Sequence, residues 1–140
     1  INESVKYAQE RKPFGKPLST NQGIQFPLVE LNTTAAMLRA LIHKTAWQMD
    51  KYGAFSVSDQ VSMCNYIGNR LCCDAADRAM QTHGGLGYSR HKPFEHIYRH
   101  HRRYRITEGA EEIQMRRIAG YMFGYMKQQA PKGVKSVTGI

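Results

Sequence analysis

The chain has 140 residues, of which 41% are hydrophobic, so it is long enough for one globular domain with its own core. Its formal net charge of +9 indicates an anionic partner, an acidic neighbouring domain or a soluble basic surface. Three cysteines, Cys64, Cys72 and Cys73, lie in an apolar helical pattern. Their odd number and their helical setting argue against a disulfide framework, and Cys72 and Cys73 lack the spacing of metal ligands. We expect the three to be small buried side chains in a reducing compartment.

Helical spacing begins at the first residue. Residues 1–11 have the pattern of the end of an amphipathic helix, and the Pro- and Gly-rich residues 12–18 predict a loop. Steps of three and four then predict a long helix over residues 22–52, which ends at Gly53. The stripe that we expect to face the core consists of Ile24, Leu28, Leu31, Ala35, Leu38, Ile42, Ala46 and Met49.

A third helix is predicted to start at a cap formed by Ser56 or Ser58 and to end at the glycines of residues 84–87. Its small residues would allow another helix to approach closely. The expected buried stripe of this helix consists of Val61, Cys64, Ile67, Gly68, Leu71, Ala75 and Ala79.

Two further helices complete the prediction, one from Pro93 to about Arg102 and one from about Glu111 to Gln128. No strand pattern competes with them. The predicted fold is therefore all-α, an up-and-down bundle of long antiparallel helices over residues 1–130, with residues 131–140 as a loose tail. The sequence predicts neither a membrane span nor a signal peptide. Because the helical pattern is already under way at residue 1, we expect the chain to be part of a longer protein.

Residues 105–114, with the sequence RITEGAEEIQ, predict a turn that leads into a helix. Gly109 interrupts the preceding pattern, and Glu111 and Glu112 lie where the first helical turn favours negative charge. Glu108 stands just before the break, among basic residues. A carboxylate at such a corner can project into a cleft and act as a base. The alternative is a capping or surface glutamate, which these ten residues alone favour.

Four motifs in order resemble the C-terminal domain of the acyl-CoA dehydrogenases, a family of flavoproteins. They are YAQERKPFGKPL at residues 7–18, followed by Gln22 and Phe26; AMQTHGGLGY at residues 79–88; PFEHIYR at residues 93–99; and EGAEEIQ at residues 108–114. The resemblance covers residues 1 to 120 or so, and the four motifs stand at the spacing of the family.

This resemblance implies that the chain is a third of an enzyme that desaturates the Cα–Cβ bond of an acyl-CoA thioester, with FAD as its cofactor. Glu108 is then the base that removes the α-proton, although some family members place their base in an earlier helix. The related flavin monooxygenases often lack this carboxylate. The resemblance also implies an electron acceptor such as an electron-transfer flavoprotein, a homodimer or homotetramer, and a cytoplasmic location, or a mitochondrial one in a eukaryote. The isolated chain is expected to be inactive.

The same resemblance assigns cofactor contacts. Arg11 is expected to bind the FAD pyrophosphate of a neighbouring subunit, with Phe14 against the adenosine portion and Gln22 as a hydrogen-bonding partner. The remaining expected contacts are made by Gln81, Gly84, Gly85 and Glu112. Two positions depart from the family pattern, because Thr107 replaces a tyrosine before the glutamate and Ala110 replaces a threonine after the glycine.

Residues 99–105, with the sequence RHHRRYR, are more cationic than the family pattern. A solvated helix face, or a patch that faces an acidic domain or CoA phosphates, is a better interpretation than a nucleic-acid stripe. The neighbouring histidines lack a coherent ligand set, so no metal site is expected. Two alternatives to the enzyme are a flavin-free helical interaction module with a basic face and a DNA-binding bundle, whose affinity would fall steeply with salt.

Overall fold

A computed structural model describes residues 1–127 of the chain, and none of them is in a β-strand. The helices are α1 (Asn2–Glu10), α2 (Gln22–Tyr52), α3 (Ser58–His83), α4 (Gly85–Tyr88), α5 (Phe94–Tyr104) and α6 (Glu111–Met122). Two 3₁₀ turns, Leu18–Thr20 and Ala54–Val57, precede α2 and α3. The prediction of an all-α fold is confirmed, and the predicted tail over residues 131–140 lies outside the described range. Across residues 1–127 no helix combines the length and the apolar character needed to cross a membrane.

The chain forms two compact units. The first contains residues 1–36 and 69–104, and therefore α1, the first half of α2, the second half of α3, α4 and α5. The second contains, among the residues that the structure describes, 37–68 and 105–127, and therefore the remaining halves of α2 and α3 together with α6.

In the first unit, three helices meet around His83, the last residue of α3. Its ring stacks on Tyr7 of α1 at a centroid distance of 4.3 Å and lies 4.7 Å from the ring of Phe94 at the start of α5. The buried hydrophobic side chains of this unit are Ala8, Leu28, Cys73, Ala76, Ala79 and Phe94. On the surface, Lys92 donates to Glu3 at 3.1 Å and holds the pKa of that carboxyl below its usual range.

In the second unit, α2 and α3 run antiparallel. Leu38 lies 3.7 Å from the position that a Cβ of Gly68 would occupy, and the Oγ1 of Thr45 lies 3.8 Å from the Sγ of Cys64. Residues later in α2 therefore contact residues earlier in α3, as antiparallel helices do. The 3.7 Å distance at Gly68 is an ordinary van der Waals contact, so an alanine would also fit there, and this contact does not depend on the close approach that the small residues of α3 predicted.

The buried face of α2 in the second unit differs from the predicted stripe. Ile42 and Ala46 were expected in the core, but both are exposed, whereas Thr45 and Gln48 are 4% and 5% exposed. The hydroxyl of Thr45 donates to the carbonyl of Leu41 at 2.8 Å, which satisfies the hydroxyl inside its own helix. The prediction was wrong because it counted apolar residues and took every polar side chain to face water.

A similar correction applies to α3. Val61 was expected in the buried stripe but is exposed, while the next residue, Ser62, is fully buried. Of the three cysteines, only Cys73 is buried, and Cys64 and Cys72 are half-buried. Burial, reinforced by the neighbouring Cys73 thiol, raises the pKa of Cys72, so this thiol remains protonated at neutral pH.

Two helix ends also differ from the prediction. Pro93 precedes α5 instead of opening it, because its carbonyl accepts the first helical hydrogen bond, and α5 continues to Tyr104. The final helix ends at Met122 and not at residue 128, which itself lies outside the described range. Gly124 explains the early end, since its φ of +75° places the chain in a left-handed conformation that an α-helix cannot contain.

Candidate functional site

Glu108 lies in the turn that joins α5 to α6. Its φ is +60°, and it is the only non-glycine residue with positive φ in the part of the chain that the structure describes. This conformation costs about 1–2 kcal/mol for a residue with a Cβ atom, so the surrounding structure must hold it in place. Gly109 follows with φ +88°, and the two residues together turn the chain sharply. The side chain of Glu108 is exposed.

Arg105 and Glu111 close this turn at its two ends. The guanidinium of Arg105 donates from Nε to Glu111 Oε2 at 2.9 Å and from Nη2 to Oε1 at 3.0 Å. The backbone N–H of Glu111 donates to the carbonyl of Arg105 at 3.1 Å. The two side chains are 23% and 10% exposed, so this forked ion pair is largely shielded from water. It fixes the base of the turn from which Glu108 projects.

Gln114, in the first turns of α6, provides a second support. Its Nε2 donates to the carbonyl of Glu108 at 3.3 Å and to that of Gly109 at 3.4 Å. The residue before α6 is Ala110, and no side chain caps that helix. Glu108 therefore does not cap the helix, which was one of the two alternatives that the sequence left open; its exposed side chain agrees with the other, a surface glutamate.

The acidic residues at the start of α6 differ in their surroundings. Glu112, predicted as a cofactor contact, is exposed. Glu111 was expected only as a charge near the helix terminus, yet it is buried and paired with Arg105. The sequence held a signal for this pair, since opposite charges flank a short turn that contains a glycine.

Glu111→Gln is expected to lower the free energy of unfolding by about 2 kcal/mol, because Arg105 loses its charged partner where little water can replace it. Urea denaturation followed by circular dichroism measures the change. Glu112→Gln is the matched control, since it removes the same charge one residue away at an exposed position, and it should stay within about 0.5 kcal/mol of the unmodified chain. Equal losses in the two variants would mean that the ion pair does not stabilise the turn.

In the first unit, the predicted cofactor residues begin in the loop after α1. Arg11 is exposed, and its carbonyl accepts a hydrogen bond from the N–H of Leu18 at 2.9 Å, which closes the loop. Phe14 lies within this loop and is 91% exposed, a large apolar ring that its own chain leaves uncovered. Gln22 is the first residue of α2 and is also exposed.

The second group of predicted cofactor residues surrounds the end of α3. Gln81, Gly84 and Gly85 are exposed. Gly84 has φ +59°, and an added Cβ at Gly84 or Gly85 would meet no atom within 4 Å. The backbone here is therefore open to close approach by a ligand.

His83 connects these two groups of residues. It immediately precedes Gly84, and its stack on Tyr7 fixes α1 four residues before Arg11. The ring is 3% exposed and its Nδ1 lies 2.8 Å from the carbonyl of Ala79. Sequence reasoning missed this residue, although a histidine within an apolar helical stretch next to two glycines could have indicated it.

The basic run at residues 99–105 is divided between two settings. Arg105 belongs to the ion pair that closes the Glu108 turn, whereas Arg99, His100 and Arg103 lie exposed on α5. Desolvation, followed by the charge of Arg103 and the neighbouring histidines, lowers the pKa of His100. Within residues 1–127, no group of three or more His, Cys, Asp or Glu side chains is placed to hold a metal ion.

The sequence of this chain matches a known protein family. The family model for "Acyl-CoA dehydrogenase, C-terminal domain" matches residues 1–123. The caffeyl-CoA reductase-Etf complex subunit CarC of Acetobacterium woodii is 31% identical over 122 residues, which cover 87% of this chain and 32% of that protein. An acyl-CoA dehydrogenase of Bacillus subtilis is 32% identical over 124 residues, which cover 89% of this chain and 32% of that protein.

A solved structure of glutaryl-coenzyme A dehydrogenase in complex with glutaryl-CoA superposes with a TM-score of 0.84. It is 28% identical and is matched over 91% of this chain and 32% of its own. The chain thus spans about a third of the length of these relatives. The family match over nearly all of the described residues, together with the shared all-α fold, shows that this chain belongs to the acyl-CoA dehydrogenase family, as its C-terminal domain.

Proposed function

We propose that the protein carrying this domain is an FAD-dependent acyl-CoA dehydrogenase and that Glu108 removes the α-proton of the acyl-CoA thioester. The observation that carries this proposal is the conformation of Glu108, an exposed carboxylate held at φ +60° by a closed turn. Backbone strain of this kind persists where the surroundings enforce it, and functional sites are where it collects. The domain relatives named as dehydrogenases support the reaction class.

The chemistry explains why the turn is built so firmly. An α-proton next to a thioester is weakly acidic, so the base must be close, aligned and shielded from water when substrate binds. Glu108 is exposed in this chain, and a substrate that covers it would desolvate the carboxylate and increase its affinity for a proton. The ion pair between Arg105 and Glu111 holds the direction from which the carboxylate projects.

The residues of the first unit fit FAD. When bound, FAD supplies the two-electron acceptor for the hydrogen that leaves the β-carbon. Arg11 offers a permanent positive charge for a pyrophosphate, and the uncovered ring of Phe14 offers a surface for an adenosine. The open backbone at Gly84 and Gly85 can approach a dinucleotide closely. We assign Gln22 and Gln81 of this unit as further polar contacts, and propose Glu112 of the second unit separately as a cofactor contact.

The proposed partners follow from the relatives. An acyl-CoA is the substrate, and an electron-transfer flavoprotein is the acceptor, as the name of the Acetobacterium woodii relative suggests. The protein is proposed to act as a homodimer or homotetramer, and residues 1–140 alone are expected to lack activity. A reductase is the second candidate, favoured by that same relative, and Glu108 would then return a proton to the α-carbon.

An anaerobic titration of the complete polypeptide with a panel of acyl-CoA thioesters tests the proposal. The purified protein should be yellow, and the absorbance of oxidised flavin should fall when an acyl-CoA of suitable chain length is added. The flavin of a reductase would instead lose its absorbance when a reductant is added and regain it when an enoyl-CoA is added. A protein without flavin would contradict both enzyme assignments and leave the helical interaction module.

A further inference from the structure

One side of α5 carries two arginines and two histidines, independent of the proposed catalytic function, and the arginines give it a permanent positive charge. His96, Arg99, His100 and Arg103 occupy positions i, i+3, i+4 and i+7 and therefore share one side of the helix. All four are exposed. Glu95 is the only acidic residue of α5; it is half-buried and lies one turn before Arg99, at the border of this side of the helix. We call these four residues the α5 cationic face.

Helix stability alone does not account for this arrangement. Basic side chains in the last turn of a helix compensate the macrodipole, which explains Arg103 and its neighbours in sequence. That effect fades within one turn, so it does not explain Arg99 in the middle of α5 or His96 in its first half. The ion pairs Glu3–Lys92 and Arg105–Glu111 use side chains outside the face.

The charges of the face select an anion over a metal ion. His96 and His100 are one helical turn apart, with ring centroids at 6.1 Å, a spacing that could hold a transition metal between two imidazoles. Arg99 and Arg103 share that side of the helix and would repel a divalent cation. The same two guanidinium groups would attract carboxylates and bind them through paired hydrogen bonds.

The shape of the face indicates which class of anion it could bind. Arginine side chains bind phosphates as well as carboxylates, but this convex face extends toward the C-terminal end of α5 and adds neither a concave backbone nest nor a helix N-terminus, the features that supply further N–H donors to a phosphate. Single-stranded nucleic acid would require free aromatic rings for stacking. Tyr98 and Tyr104 are only partly exposed, and the guanidinium of Arg103 lies over the Tyr104 ring at 4.7 Å and donates to its hydroxyl at 2.9 Å.

We propose that the α5 cationic face is a docking surface for an Asp/Glu-rich segment of a partner protein. The face extends over seven residues, or about 10 Å, which is the length of two turns of an acidic helix. Arg103 is held in place by Tyr104, so it loses less side-chain freedom on binding than an unconstrained arginine would. Charge complementarity along this line supplies the recognition.

Fluorescence anisotropy with the full chain tests the docking surface. The probe is a labelled synthetic helical peptide with glutamates along one side, compared at low ionic strength with a peptide of the same composition whose glutamates surround the helix. The one-sided peptide should bind more tightly. The double variant Arg99→Gln with Arg103→Gln should weaken its binding about tenfold, since each exposed charge pair contributes a small favourable energy.

The matched control is Arg39→Gln with Arg90→Gln, which removes the same charge from two exposed positions outside the face. It should weaken binding less than about twofold, because neither arginine lies on α5 or contributes a guanidinium to the α5 cationic face. Circular dichroism checks that both variants fold. Arg99→Lys with Arg103→Lys keeps the charge but not the paired hydrogen bonds, so its affinity should lie between those of the unmodified chain and the glutamine variant. Equal losses in the control, or equal affinity for the two peptides, would overturn the proposal. Tighter binding of an oligonucleotide or of anionic vesicles through the same arginines would also overturn it.

Discussion

Replacing Glu108 by glutamine in the complete polypeptide is expected to slow flavin reduction by acyl-CoA about 1,000-fold, within the range that a positioned general base contributes. Glutamine has nearly the same shape but cannot accept the α-proton. Because the carboxylate of Glu108 is exposed, the substitution should leave the fold and the bound flavin unchanged. Stopped-flow absorbance under anaerobic conditions measures the rate, and the flavin spectrum before mixing confirms that cofactor is still bound.

Two comparison variants sharpen this experiment. Glu30→Gln removes a carboxylate from an exposed position on α2 and should leave the rate unchanged. Glu108→Gly removes the base but relieves the strain of a side chain at φ +60°, so it should raise the free energy of unfolding by up to about 1 kcal/mol while activity is lost. Unchanged flavin reduction in Glu108→Gln would place the base elsewhere in the protein.

The sequence predicted the helices well where breakers and periodicity agreed. The long helix α2 has the bounds that were predicted, because the breaker cluster before residue 22 and the glycine at residue 53 delimit a regular pattern. Gly124 was overlooked because its neighbours are aromatic and fit a helical spacing. A glycine in a left-handed conformation outweighs that spacing, and the last helix stops two residues before it.

The buried faces were less predictable than the helices. Periodicity gives the direction of the apolar side, but not which neighbour each half of a long helix meets. In the second unit α3 packs on the side of α2 that carries Thr45, a polar residue whose hydroxyl is satisfied within its own helix. Such polar side chains are invisible to a count of hydrophobic residues.

The roles of the candidate site residues were assigned one by one from the family resemblance, and they remain proposals. The geometry around Glu108 could not have been obtained that way. The positive φ of Glu108 and the ion pair between Arg105 and Glu111 both depend on how the turn closes. Closure forms the backbone hydrogen bond from Glu111 to Arg105 together with the bonds between their side chains. The exposure of the site residues could not be predicted from the sequence either, because no local pattern reveals that the ring of Phe14 is left uncovered.

Gly87→Ala is expected to lower the free energy of unfolding by about 3 kcal/mol, the upper end of the usual cost of overpacking. A Cβ at this position would lie 2.6 Å from the carbonyl oxygen of Met80, 2.9 Å from its Cα and 2.8 Å from the Cβ of His83. Two of these atoms are backbone of α3, so no side-chain rotation can relieve the contact. The turn after α3 would have to move away from the helix, and with it the stack of His83 between Tyr7 and Phe94. Thermal and urea denaturation measure the loss.

Gly85→Ala, two residues earlier in the same turn, separates packing from ligand binding. An added Cβ there meets no atom within 4 Å, and Gly85 lies in a helical conformation, so alanine should leave stability unchanged or raise it by up to about 1 kcal/mol. If FAD approaches this backbone as proposed, the same methyl group should weaken flavin retention in the complete polypeptide. Gly87→Ala would thus unfold the turn, whereas Gly85→Ala would leave the turn folded and block the approach of FAD to its backbone. Similar stability losses in the two variants would show that the tight contact of Gly87 with α3 does not govern this turn. Full flavin retention in Gly85→Ala would remove Gly85 from the proposed cofactor site without affecting the assignment of Glu108.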